Sequence, residues 1–122
     1  MSYDDQNIFA KILRGEIPCD KVFEDDYCLA FNDIAPQAPV HTLVIPKGPY
    51  VSLDDFHANA SDAEIAGFVR GIGTVARMKG VADDGYRIIS NIGENGHQEV
   101  PHLHVHVVGG RPIGRMISKP RD

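Results

Sequence analysis

Apolar and polar positions alternate most strictly near the end of the chain, in Pro101-His102-Leu103-His104-Val105-His106-Val107-Val108. A period of two is the pattern of a half-buried strand. Leu103, Val105 and Val107 then look into a core, and His102, His104 and His106 project from the opposite face, neighbours roughly 6–7 Å apart. Four more strands are predicted from short β-branched or aromatic runs: Lys21 to Glu24, Tyr27 to Asn32, His41 to Pro46 and Tyr86 to Asn91. Asp25-Asp26 supplies the turn between the first two, and the two prolines of 32–39 mark a stiff loop.

The period changes to that of a helix twice. Phe9, Ile12 and Leu13 form a short apolar stripe after a cap at Asp5 or Asn7, with Gly15 at its exit. Ser61-Asp62-Ala63-Glu64 is a capping box, followed by a longer stripe of Ile65, Phe68, Val69, Ile72 and Ala76 that ends near Gly80. Gly67, Gly71 and Gly73 each cost that helix about 1 kcal/mol relative to Ala, which points to a close approach by another backbone. The stretch before it, with His57, is predicted to be irregular surface. The order α-β-β-β-α-β-β defines an α+β domain, a mainly antiparallel five-stranded sheet with one short and one long helix.

The 122 residues make one domain, 1–122, with 43% hydrophobic and 24% charged residues, as in ordinary soluble proteins. The net charge of −5 argues against a nucleic-acid polymer as partner, since that binding needs clustered Lys and Arg. No apolar run approaches the about 18 residues that span a bilayer, and the acidic, polar N-terminus is unlike a signal peptide. A cytoplasmic location is expected. Cys19 and Cys28 have the spacing of neither a redox pair nor a ligand pair.

Three imidazoles on one strand face admit three readings. They are a solvent-facing polar row, ligands of a metal ion, or a nucleophile flanked by groups that hold protons and phosphoryl oxygens. The preceding loop, Gly93 to Gln98, is rich in glycine and amides, which suits neutral hydrogen bonding to phosphoryl oxygens.

His102 to Val108 fit His-φ-His-φ-His-φ-φ, φ being apolar, without a gap. In this the chain resembles the histidine triad superfamily of nucleotidyl hydrolases and transferases. The string from Gln98-Glu99-Val100-Pro101 to Gly109-Gly110-Arg111-Pro112 resembles its bacterial Hint branch. The resemblance implies the histidine triad fold, with a sheet continued across a homodimer, and hydrolysis of purine nucleoside phosphoramidates or related nucleoside monophosphate derivatives. It marks His104 as the nucleophile, His106 as a donor to a phosphoryl or bridging oxygen, and His102 and His41 as the residues fixing the tautomer of His104. It assigns the ribose to Asp33, base contacts to Ile34, Phe9, Ile12 and Leu43, and the phosphate to Asn91 and Gln98. His97 and Glu99 stand beside them, where eukaryotic relatives have Gly and a Ser that assists the leaving group. An ionised carboxylate at 99 only accepts hydrogen bonds. Some relatives bind zinc through Cys-x-x-Cys at the first helix; the matching positions here are Asn7 and Ala10, so neither metal nor cofactor is expected. The tail from Gly109 to Asp122 is expected to shape the substrate opening.

Overall fold

The computed structural model describes residues 2–117; the end of the tail, 118–122, lies outside the described residues. Strands β1 (Lys21–Glu24), β2 (Cys28–Asn32), β3 (Val40–Pro46), β4 (Tyr86–Ile89) and β5 (Val105–Gly109) form one sheet in the order β1-β2-β3-β5-β4. Every pairing is antiparallel. The helices are α1 (Ile8–Leu13), α2 (Leu53–Asn59) and α3 (Asp62–Met78). No described helix is long and apolar enough to cross a membrane.

Strand alternation divides the sheet into two working faces. Cys28 and Ala30 of β2, Val44 of β3 and Val105 and Val107 of β5 join Leu103 and meet Phe68, Ile72, Val75 and Ala76 of α3 in the main core. Leu29, Phe31, Leu43 and Ile45 turn the other way, where Phe9 of α1 closes over them with Ile12 and Leu13 packed alongside. Each such side chain contributes on the order of 1.5–3 kcal/mol when fully buried, so α1 is anchored by few residues. It covers only part of its face, and the uncovered part carries His41 and His106, whose register neighbours are Val108 and Leu43.

Local signals explain the boundaries. Asp25 bends the β1–β2 turn by accepting from the amides of Tyr27 (2.8 Å) and Cys28 (2.9 Å). The capping box of α3 is closed in both directions, from Glu64 N to Ser61 Oγ at 3.1 Å and from Ser61 N to Glu64 Oε1 at 3.0 Å. Gly80 leaves α3 with φ +74°, in the left-handed region.

Four expectations change. The irregular stretch around His57 is the helix α2, held by Ser52 at its N-terminus and by Phe56, which is buried between Tyr50 and Phe68. The last strand begins at Val105, so His102 and His104 precede the ladder, and β4 ends at Ile89, short of Asn91. Val69 is 61% exposed instead of sharing the core stripe, whose place is taken by Val75. Gly67 and Gly71 admit side chains of the chain's own β1–β2 hairpin, not another backbone: an added Cβ would stand 2.3 Å from Tyr27 Cγ or 2.5 Å from Cys28 Sγ. Gly73 has open space above it.

Cys28 is fully buried and its sulfur has nowhere to go. Gly71→Ala should therefore destabilise the protein by about 1–3 kcal/mol through overpacking, although Ala is the better helix former. Urea denaturation measures this, and a variant as stable as the parent would contradict the close contact.

Candidate active site

Residues 102–104 run beside the sheet without ladder partners, so their polar groups are matched individually. Leu103 N–H donates to the Tyr50 carbonyl at 2.8 Å, and Ser90 Oγ donates to the His104 carbonyl at 3.0 Å. The His102 ring is fully buried and lies 3.0 Å from the Pro46 carbonyl through Nε2. A carbonyl only accepts, so Nε2 carries the proton and Nδ1 is left as an acceptor. The Tyr3 hydroxyl meets that acceptor at 2.5 Å and itself accepts from Asn7 Nδ2 at 3.0 Å. Burial pushes the Tyr3 hydroxyl above its ordinary pKa, which keeps it a donor. Burial also drives His102 down to about 4, so the ring is neutral at pH 7.

His104 is fixed by the same reasoning. Its Nδ1 lies 2.8 Å from the main-chain carbonyl of His102, so Nδ1 carries the proton and Nε2 is left with a free lone pair. Burial holds its pKa below the usual imidazole range, outweighing that hydrogen bond and the carboxylates of Asp33 and Glu99. The edge of the Phe9 ring packs against it, centroids 5.0 Å apart.

The third imidazole is ordered from the opposite side. Gln37 N–H donates to His41 Nδ1 at 3.1 Å, leaving the His41 proton on Nε2, which donates to His106 Nδ1 at 2.9 Å. His106 then carries its own proton on Nε2. Its pKa falls to about 4, chiefly through burial and then through the neighbouring imidazoles. The Asp33 carboxylate lies 3.4 Å from His41 Nε2 and is tied by Oδ1 to the Ala35 amide at 2.8 Å.

These groups border a cleft of about 250 Å³ lined by Phe9, Asp33, Leu43, Asn91, His104 and His106, with Gln37, His97, Glu99 and Val100 at its margin. His97 and Glu99 are exposed and pair at 3.0 Å. His97 holds φ +59°, a left-handed conformation uncommon outside glycine. One wall is apolar, one carries a carboxylate, and imidazole and amide groups stand between them.

Several predicted site residues sit elsewhere. Ile34 is fully exposed and borders no described cleft, and Ile12 packs under α1. Gln98 donates to the Val51 (2.6 Å) and Val100 (3.0 Å) carbonyls and accepts from Gly93 N (3.0 Å), so its side chain ties loops together. His102 lies behind the cleft and acts on His104 through its backbone carbonyl, not its ring. His41 bonds His106, not His104. The three triad imidazoles do not converge as metal ligands. Among the described residues the group that gathers is Asp33, His41 and His106, with ligand atoms within 4.8 Å of one another. It fits an ion poorly, because the Gln37 amide leaves the proton of His41 on the nitrogen that would have to bind. Tyr3 and Gln37 had no signal in the sequence: Tyr3 acts on a ring 99 positions away, and Gln37 acts on the nearby His41 ring through its backbone amide, which carries no residue signature.

Comparison with known proteins shows the family. Residues 14–113 match the family model described as the HIT domain. The chain belongs to the HIT domain family. It is 63% identical over 118 residues to a HIT-like protein of Azospirillum brasilense, covering 97% of each chain. It is 43% identical over 114 residues to the purine nucleoside phosphoramidase of Escherichia coli K12, covering 93% of this chain and 95% of that one. Among solved structures, a histidine triad protein from Clostridium difficile superposes with a TM-score of 0.81 at 43% identity, covering 96% of this chain and all of the other.

Tyr3 lies outside the matched span, yet it satisfies a buried ring nitrogen. Tyr3→Phe should cost about 1–3 kcal/mol, the penalty for an unpaired buried acceptor. Thermal or urea denaturation tests this, and an unchanged midpoint would show that the nitrogen finds another donor.

Proposed function

We propose that this protein hydrolyses purine nucleoside phosphoramidates or closely related nucleoside monophosphate derivatives through a covalent nucleotidyl-histidine. The observation that carries the reading is the bare Nε2 of His104, held in the attacking tautomer at a cleft with a carboxylate on one side and an N–H donor on the other. The name of the Escherichia coli relative supports the substrate class.

His104 Nε2 attacks the α-phosphorus, forming a P–N bond to the ring as the bond to the leaving group breaks. The electron pair departs on the leaving nitrogen, which takes up a proton from solvent. Water then attacks the same phosphorus as the P–N bond to the ring breaks, releasing the nucleoside monophosphate, returning one proton to solvent and restoring neutral His104. His106 Nε2–H donates to a phosphoryl or bridging oxygen, and Asn91 supplies a second, neutral donor. Asp33 accepts from both ribose hydroxyls, and the base rests against Phe9 and Leu43. His41 holds the proton of His106 in place. The scheme draws on side chains of this cleft, on His41 beside it and on water.

His104→Ala should lower kcat for an adenosine phosphoramidate by several powers of ten, while binding of the nucleoside monophosphate survives. Quenching the parent protein in mid-turnover should trap an acid-labile nucleotidyl adduct, and peptide mapping should place it on His104. An adduct on another histidine, or substantial turnover in the variant, would overturn the assignment. The depressed pKa of His104 keeps the nucleophile deprotonated as pH falls through the ordinary imidazole range. The acid limb of kcat/KM should accordingly lie below pH 6.5, the unperturbed value.

The same reading includes a homodimer. β4 is a sheet edge, with Ile88 55% and Ile89 37% exposed. An apolar groove of about 390 Å³ runs from there to Leu53 and Val69, both also exposed. Val69 and Gly73 lie one turn apart on α3, and the open space above Gly73 admits a close neighbour. Pairing two β4 edges would continue the sheet and cover these residues. Sedimentation at micromolar concentration should give twice 13.4 kDa, and Val69→Glu should give a monomer. A monomeric parent protein would remove the dimer.

A further inference from the structure

A second cleft opens from the first on the same face of the sheet. It encloses about 390 Å³, and His106, Asn91 and Gln37 border both. Its other walls carry Arg87, Arg111 and Arg115, and no Asp or Glu among the described residues lines it. In a chain with 17 acidic and 12 basic residues, three guanidiniums without a carboxylate make a local positive field against the sign of the whole molecule.

Two of these guanidiniums are held in place. Arg87 donates from Nη1 to the Arg115 carbonyl at 3.0 Å and from Nη2 to the Gly114 carbonyl at 2.6 Å. Arg111 donates from Nη1 to the Pro112 carbonyl and from Nη2 to the Gln37 carbonyl, both at 3.1 Å. Carbonyls orient the cation without cancelling its charge, and a guanidinium with five N–H groups retains three after two such bonds. Arg115 is exposed and its side chain has no partner among the described residues.

Position supplies the rest. In the reaction proposed above, the nucleoside lies toward Phe9 and Asp33, and the phosphorus sits between His104 and His106. The leaving group must depart away from the attacking Nε2. His106 is the boundary between the two clefts, so the arginine-lined cleft is the space beyond it. We propose that this cleft is the leaving-group site and that it selects anionic leaving groups, amines or oxygen acids that carry a carboxylate or phosphate. The inference rests on the nucleotidyl-transfer reading and names the part of the substrate that reading left open.

The test compares adenosine 5′-phosphoramidates of three amines of similar length, with the full chain at low salt. One is 4-aminobutanoate, one its uncharged amide 4-aminobutanamide, and one 3-aminopropyl phosphate. Either anionic substrate should exceed the amide in kcat/KM by about tenfold, and the better of the two identifies carboxylate or phosphate as the preferred group. The advantage should shrink as salt screens the field, and Arg115→Ala should bring the ratio to within about twofold of one. Arg115→Glu should reverse it. Equal turnover of all three substrates, or a preference for the amide, overturns the anion site and leaves the phosphoramidate reading intact. Turnover of none removes that reading and this inference with it.

Discussion

The site depends on one short hydrogen bond, from His104 Nδ1 to the main-chain carbonyl of its neighbour two residues back. An imidazole can attack only through a nitrogen without a proton, and a neutral ring has one such nitrogen. The bond decides which it is. It exists because residues 102–104 leave the ladder: a carbonyl engaged between strands would be less available to a side chain. The peptide segment is therefore pinned by other means, through Tyr50, Ser90, Pro46 and Tyr3. The tautomer of His104 is as well defined as those contacts, which come from three separate parts of the chain.

Much of the fold was legible because its periodicities are clean. Alternation in 28–32, 40–46 and 105–109 put aliphatic residues against α3, and the capping box at Ser61 marked the start of that helix to the residue. α2 was not legible because two turns carry too little periodicity, and its one anchor, Phe56, reads equally well as a loop residue. The start of β5 was misplaced for a different reason. Side chains of an extended segment alternate whether or not its backbone is paired, so hydropathy alone cannot show where a ladder begins. The glycines of α3 marked a close approach, but the sequence could not show that the neighbour at Gly67 and Gly71 is the chain's own hairpin.

The site shows the same limit. Histidine spacing and a family resemblance singled out His41, His102, His104 and His106, yet their division of labour was not in the spacing. Carbonyls decide the tautomers of His102 and His104, and a backbone amide decides that of His41. Main-chain groups carry no residue signature. Tyr3 is hidden for another reason, because 99 positions separate it from the ring it serves. The loop contacts of Gln98 were not legible because an amide in a loop suits a ligand and a neighbouring loop equally well, and here both ends of its side chain bond protein groups.

Burial and tautomer are two parts of one device. Removing His102 and His106 from water drives both to about pKa 4, so charge is excluded from the row at neutral pH. Once each ring is neutral it has one donor and one acceptor, and every contact sets the direction of the next. One chain runs from Asn7 through Tyr3 and His102 to the Pro46 carbonyl, and another from Gln37 through His41 to His106. The two chains and the His104–His102 bond use four of the six triad nitrogens. The two left over are a bare Nε2 on His104 and an N–H on His106. They are an electron-pair donor and a proton donor on adjacent rings whose centroids stand 5.2 Å apart. A charged row would erase that distinction, since both nitrogens of an imidazolium donate. The low-dielectric setting that makes the imidazoles costly to ionise is thus what keeps a bare nitrogen on one ring and an N–H on the next.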